Sequence, residues 1–277
     1  MFACCLRGQF LSARVDDKTK RAVLGIYLST SGHYPDNCQL FPARIEFVLI
    51  ECKRLSKAYA SNSHLVKAVD DVNFSILKGE FVVILGHSGS GKTTLLSLIG
   101  GLTRPDTGTV LVDGKDNWQN GDKQLSIVRN RTIGFIFQFA SLIPTLTAVE
   151  NVLFPTSFGS SSPGGLARAE ELLDKVGLAE KRHAFPGQLS GGQQRRIAIA
   201  RAFINSPAII LADEPTGDLD EETEGEILQF FRNYNESGTT FLVVTHNKEL
   251  AQSQRHSRVM SMKNGCLKEG EGDEAGS

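Results

Sequence analysis

The stretch Gly86-His87-Ser88-Gly89-Ser90-Gly91-Lys92-Thr93 constrains this chain more than any other. It matches the pattern G-x-x-x-x-G-K-[ST]. It also follows an apolar run, Phe81-Val82-Val83-Ile84-Leu85, of buried-strand length and precedes a helical pattern that starts near Lys92. Glycines let the backbone wrap so that successive N–H groups point inward at one anion. A helix N-terminus adds about half a positive charge, and a lysine adds a full one for β- and γ-phosphates. Thr93 brings a hydroxyl suited to Mg2+, and Thr94, the next residue, is a further candidate for binding at the same loop. A glycine-rich turn before a surface lysine would spell similar letters, but it would not sit between a strand and a helix.

A second acidic element supports a phosphate site. Ala208-Ile209-Ile210-Leu211-Ala212 reads as a buried strand delivering Asp213 and Glu214 at its carboxyl end, where parallel sheets place ligands. One carboxylate can hold Mg2+ through water while the next orients an attacking water. Acid pairs are common at strand ends, so this pair carries weight only beside the loop.

The order of elements predicts an α/β fold. A strand at 45–52 and another at 69–76 precede 81–85, and the turn 105–108 leads into a strand at 109–112. Short apolar strands follow at 135–137, 208–212 and 240–244. Helices are expected at 166–176, with Gly177 as its stop, at 193–204, and at 221–234. Strands alternating with helices imply a mostly parallel sheet covered on both faces. Thr156 to Gly165 reads as a Ser/Gly/Pro loop, and Lys268 to Ser277 as a disordered acidic tail.

Charge and cysteines exclude several classes. With 30 basic against 31 acidic residues, no bulk attraction to nucleic acid or anionic lipid is expected. The 5 cysteines show no C-x-x-C spacing, which speaks against a disulfide framework or a zinc site. No apolar run approaches the roughly 18 residues of a membrane span, so a membrane role must come through a partner.

Leu189-Ser190-Gly191-Gly192-Gln193 narrows the reading further; by chance it occurs in on the order of one chain in several thousand. The pentapeptide resembles the signature of ABC-type ATPases, and the resemblance covers about residues 45–268. Gln138 is similar to that family's Q-loop glutamine, Gly217-Asp218-Leu219-Asp220 to its D-loop, His246 to its switch histidine, and Tyr59 to its adenine-stacking aromatic. The resemblance implies a P-loop NTPase core with a mostly parallel sheet and an N-terminal antiparallel β subdomain. An inserted α-helical subdomain, at about 140–205, would carry the signature.

It further implies ATP and Mg2+ as ligands. Glu214 would hold the attacking water, while His246 would contact the γ-phosphate and steer Glu214. Thr93, Asp213 and Gln138 would form the magnesium shell. Ser190, Gly191, Gly192 and Gln193, at a helix N-terminus, would close over the nucleotide of a second cassette, giving a homodimer. An integral membrane permease is the implied partner, placing the chain on the cytoplasmic face of the membrane; no nucleic acid is expected.

Residues 134–152 and 213–220 resemble the subfamily of macrolide-export and lipoprotein-release systems, although Asp218 stands where that group has asparagine. The stretch 139–150 falls where the family docks a coupling helix of its permease. The alternative is a soluble regulatory or assembly ATPase of the same type without a permease. A GTPase would need Asn-Lys-x-Asp, which Asn247-Lys248-Glu249 fails to complete. A DNA-repair or chromosome-organising relative would need a long heptad insertion, and a translation-factor relative would need two cassettes.

Residues 1–44 show no sustained period. They are read as an extension that is disordered or absent from the native protein, with Val48 as the attractive alternative start, since no methionine lies between Met1 and Met260. Deleting residues 1–44 is expected to leave nucleotide affinity and melting temperature nearly unchanged. Thermal melts and nucleotide titrations of the truncated chain check this, and a large loss of stability would refute it.

Overall fold

The computed structural model describes residues 47–270, apart from 62–63, 120, 160–163, 218 and 254–256. Of the first 46 residues it describes 2–6, 9–16 and 21–26. The rest of the extension, Asp218 of the D-loop, and residues 271–277 of the acidic tail lie outside the described residues. The chain divides into two units, Met1–Phe47 and Val48–Ser277. The first contains an antiparallel meander of β1 (Phe2–Leu6), β2 (Gln9–Asp16) and β3 (Arg21–Ile26), where the sequence shows no sustained period.

The second unit holds two sheets. An antiparallel one pairs β4 (Val48–Ser61) with β5 (His64–Leu77) on one edge. Its other edge continues through β7 (Thr107–Val112) to β8 (Lys115–Asp116). Both long strands exceed the expected lengths. Register shifts near Cys52–Leu55 and Leu55–Ala58 break the period-two alternation, so the sequence pattern covers only part of each strand.

The larger sheet contains β6 (Phe81–Leu85), β9 (Ile133–Ile136), β10 (Ile209–Asp213), β11 (Thr240–Thr245), β12 (Arg258–Lys263) and β13 (Cys266–Glu269). Its order is β13-β12-β6-β11-β10-β9, parallel except for the final hairpin. That hairpin was not expected, and it takes in Lys268 and Glu269, which the pattern had assigned to the tail.

Alternation sorts the central strands between two cores. Phe81, Val83, Ile210, Ala212, Phe241 and Val243 face one core. That core is completed by α3 (Ala148–Leu153), α4 (Gly165–Lys175), α5 (Gly191–Phe203) and α6 (Glu221–Glu236). Val82, Ile84, Ile209, Leu211, Leu242 and Val244 face the other, against α1 (Lys92–Ile99) and the antiparallel sheet. Strands buried on both faces read as unbroken apolar runs, which is why these were the most legible elements.

Among the described residues, three helices lie outside the expected set: α2 (Gly121–Thr132), α3 and α7 (Lys248–Ser253). α2 buries only Leu125, so no apolar period announces it. α5 begins at Gly191, two residues earlier than expected, because Ser190 caps it. The segment at 156–165 opens as a 3-10 turn, Phe154–Phe158. Among the described residues, no helix is long and apolar enough to cross a membrane.

An aromatic group fastens α5 and α6 to the sheet. Phe203 meets Phe230 edge-on at 4.9 Å between ring centroids and Tyr234 at 4.5 Å, while Phe231 lies 5.3 Å from Phe241 on β11. Phe231 is fully buried. Replacing it by alanine removes the ring and leaves a cavity that rigid neighbours cannot close, so Phe231→Ala should lose about 3–5 kcal/mol in chemical denaturation. A loss below about 1 kcal/mol would show that the cluster does not carry this packing.

Candidate functional site

In-register parallel pairing sets Asp213 beside Val244 and Thr245 beside Leu85, so the ends of β10, β11 and β6 open onto one edge. The glycine-rich loop leaves β6 there and feeds α1. A Cβ on Gly91, at φ +104°, would lie 1.9 Å from the Ala68 carbonyl oxygen, so only glycine fits where the loop passes β5.

The loop walls a cleft of about 470 Å3 with all of the expected residues from His87 to Thr94, together with Gln138, Asp213, Glu214 and His246. Ala68 of β5 also lines it. Gly86 sits behind the wall, donating its N–H to the Thr245 carbonyl at 3.2 Å.

Lys92 is buried, and its ammonium donates to the carbonyls of Gly86 at 2.7 Å and His87 at 3.0 Å. The Thr93 hydroxyl donates to Asp213 Oδ2 at 2.6 Å. Burial lifts the Asp213 carboxyl above the ordinary carboxylate range. The Thr93 hydrogen bond opposes the lift, the Glu214 charge adds to it, and Lys92 and Arg195 oppose it.

Glu214 takes a left-handed backbone at φ +45°, which costs a side-chain-bearing residue on the order of 1 kcal/mol. Its side chain offsets this. Oε2 accepts from the Thr245 hydroxyl at 2.6 Å, and Oε1 accepts from the His246 N–H at 2.9 Å. His246 Nδ1 stands 2.8 Å from the same Oε1.

Tyr59 is not part of the cleft wall. It lies on β4 opposite Val66 of β5, 43% exposed, with the Lys57 ammonium 5.7 Å from its ring centroid. The signature residues are also apart from this cleft. Ser190 Oγ accepts from the Gln193 N–H at 3.2 Å, and Gln193 Oε1 accepts from the Ser190 N–H at 3.0 Å. This capping box leaves Ser190 and Gly191 exposed at the start of α5.

Three further residues bear on the site without having stood out in the sequence. Arg195 is buried in α5, where its guanidinium donates to the Phe137 carbonyl just before Gln138. Arg201 donates to the Ala140 and Ser141 carbonyls at 2.8 and 2.9 Å. Asn151 is fully buried; its amide donates to the carbonyls of Ile143, Leu146 and Thr147 and accepts from the Ile143 N–H. The only sequence signal was a polar residue amid an otherwise apolar helical face, as at Arg195 within α5.

Below this segment runs an apolar groove of about 880 Å3 lined by Leu102, Ile127, Phe135, Phe137, Phe154 and Phe158. Lys123, Arg129 and Arg201 add cationic groups to its lining.

A glycine-rich loop with an inward lysine, a threonine hydroxyl donating to an aspartate, and a second acid fixed by a histidine define a nucleoside triphosphatase of the P-loop class. The sequence places it more closely. The family model described as ABC transporter matches residues 69–217, and the chain belongs to this family as its ATP-binding and ATP-hydrolysing subunit.

An uncharacterized ABC transporter ATP-binding protein of Thermotoga maritima is 51% identical over 195 residues, 70% of this chain and 83% of that protein. The lipoprotein-releasing system ATP-binding protein LolD of Idiomarina loihiensis is 42% identical over 226 residues, 81% of this chain and 98% of that protein. Among solved structures, the ATP-binding cassette MJ0796, dimeric in a post-hydrolysis state with ADP and Pi, aligns with a TM-score of 0.75. It is 40% identical, covering 81% of this chain and 100% of that one.

Asp213 yields a prediction about stability. Its folded pKa is raised, so the unfolded chain releases this proton first, and stability falls as pH climbs from the unfolded toward the folded value. Asp213→Asn removes that dependence while keeping an oxygen to accept from Thr93. The nucleotide-free variant should melt higher than the parent at pH 7, with the gap closing below the ordinary carboxylate range, and should hydrolyse no ATP. Melting curves across pH test this; a lower melting temperature at pH 7 would refute it.

Proposed function

We propose that this chain works as one of two identical cassettes that close around two molecules of ATP and drive an integral membrane permease. The observation that carries this reading is the separation of the signature from the cleft. Ser190 and Gly191 stand exposed at the N-terminus of α5, a ready anion site, yet their own chain's nucleotide cleft lies elsewhere. A second copy arranged head to tail supplies the missing ligand. The solved cassettes that this chain resembles are dimeric, which supports a paired state.

The residue roles follow from where charge develops. Phosphoryl transfer spreads charge over the γ-phosphoryl oxygens, so positioning and electrostatics do most of the work. The loop N–H groups and Lys92 hold the phosphates. Glu214 orients the attacking water, and His246, hydrogen-bonded to Glu214 Oε1, fixes that carboxylate and contacts the γ-phosphate. Thr93, Asp213 and Gln138 present hydroxyl, carboxylate and amide oxygens, a donor set suited to Mg2+ held partly by substrate phosphates. When bound, the cation neutralises charge on the phosphate oxygens. Tyr59, on the hairpin that also carries Ala68, stacks on adenine at the cleft's rim.

The apolar groove favours a permease over a free-standing regulatory role. Phe137 and Phe158 are 42% and 67% exposed there, a surface that suits the apolar face of a short helix. Such a partner places the chain at the cytoplasmic face of the membrane. The likeness to lipoprotein-releasing system ATP-binding proteins supports work in export or in envelope mechanotransmission. The proposed cassette, about residues 45–268 with about 140–205 as its helical part, falls almost wholly within the unit Val48–Ser277.

Glu214→Gln should bind ATP yet hydrolyse it at least about 100-fold more slowly. With the γ-phosphate retained between two subunits, a dimer should accumulate in light scattering with ATP and Mg2+. Ser190→Arg should bind nucleotide and remain monomeric, because it drives bulk into the anion site. A fast-hydrolysing Glu214→Gln refutes its catalytic role, and a slow one that stays monomeric with its permease present refutes the closed pair.

A further inference from the structure

The C-terminal hairpin lies against the phosphate loop and has no assigned part in it. β12 runs parallel to β6, with Ser261 beside Leu85, so its end arrives level with the loop. Asn264 and Gly265 turn the chain there with φ of +50° and +79°, a two-residue turn of the kind that suits twisted antiparallel strands.

Gly265 is wedged between two elements of the site. Its N–H donates to the Ser90 carbonyl at 3.0 Å, and its carbonyl accepts from the Asp70 N–H on β5 at 2.9 Å. A Cβ on Gly265 would lie 2.8 Å from the Lys67 carbonyl oxygen and 3.2 Å from that of Ala68. Met262, just before the turn, is buried, and its methyl would stand 2.9 Å from a Cβ on Gly91.

We propose that the Asn264–Gly265 turn is a positioning element of the nucleotide site, setting the direction of the Gly91 N–H through the Ser90 carbonyl. The peptide joining Ser90 to Gly91 is planar and trans, so its oxygen and its N–H point opposite ways. A hydrogen bond that holds the oxygen outward, toward the hairpin, holds the N–H inward, toward phosphate. Gly91 lines the cleft and is in contact distance of Ala68, so the hairpin, β5 and the loop lock one another before nucleotide arrives. Donors fixed in advance lose less freedom on binding, which tightens affinity without altering the bound chemistry. Gly265 and Met262 are therefore positioning residues that touch no nucleotide themselves.

The test compares two glycines of the same turn type. Gly265→Ala adds a methyl at positive φ that collides with β5. Gly114→Ala adds one at φ +75° in the Asp113–Gly114 turn, where nothing lies within 4 Å. Both carry the same backbone strain, and only the first disturbs the loop. Titration of the full chain with a fluorescent ATP analogue, alongside steady-state ATPase assays, separates affinity from turnover. Gly265→Ala should weaken binding and raise KM about 10-fold, with kcat at saturation within about two-fold of the parent; Gly114→Ala should leave both unchanged.

Equal affinity in the two variants overturns the proposal, as does a fall in kcat with KM unchanged. Should Gly265→Ala fail to fold, Met262→Ala provides the same comparison, with about a three-fold rise in KM expected and an unaltered KM overturning it. The proposal rests on the loop being the ATP site, and Lys92→Ala keeps the two apart. If Lys92→Ala still binds ATP, the site reading itself fails; if it does not while Gly265→Ala binds normally, only the role of the turn fails.

Discussion

The register of three neighbouring parallel strands, β6, β11 and β10, is the constraint from which the rest of this molecule follows. Pairing of Ile209 with Thr240 and of Phe81 with Phe241 fixes where every carboxyl end falls. Because side chains alternate with a period of two, a slip of one residue would turn both cores inside out. The two apolar clusters therefore hold the register, and the register in turn brings Leu85, Asp213 and Thr245 to one level. Catalytic geometry is thus set by burial on faces that no ligand touches.

α5 ties the two halves of the chemistry together. Its first turn carries the signature, and its next two turns send Arg195 and Arg201 to the carbonyls of Phe137, Ala140 and Ser141 that flank Gln138. Ser141 sits at φ +46°, a conformation a serine adopts at some cost and that Arg201 helps to hold. The groove lined by Phe137 lies against the same segment. One helix thereby carries the exposed signature and braces the segment that leads through the cleft wall to the edge of the groove.

Legibility in the sequence followed burial. Strands at 81–85, 208–212 and 240–244 stood out because both faces are buried and no polar residue interrupts them. The loop at 86–93 stood out because its chemistry tolerates few substitutions. β4 and β5 were seen only in part, since their bulges shift the alternation, and α2 was hidden because it buries one residue. The final hairpin escaped for another reason: its short strands alternate only around Met260 and Met262. Arg195 and Asn151 show the remaining limit. Each is a buried polar side chain whose partners are backbone carbonyls distant in sequence or around a turn, and a carbonyl carries no residue-type signal.

Lys92 holds two carbonyls of its own loop, those of Gly86 and His87. An ammonium has three N–H donors, so these two bonds fix the tip of the side chain and leave one donor over for a phosphate oxygen. Ordering a lysine side chain costs up to about 2 kcal/mol of rotamer freedom. Here that freedom is given up in folding the loop, so a phosphate that meets the ammonium does not have to order it.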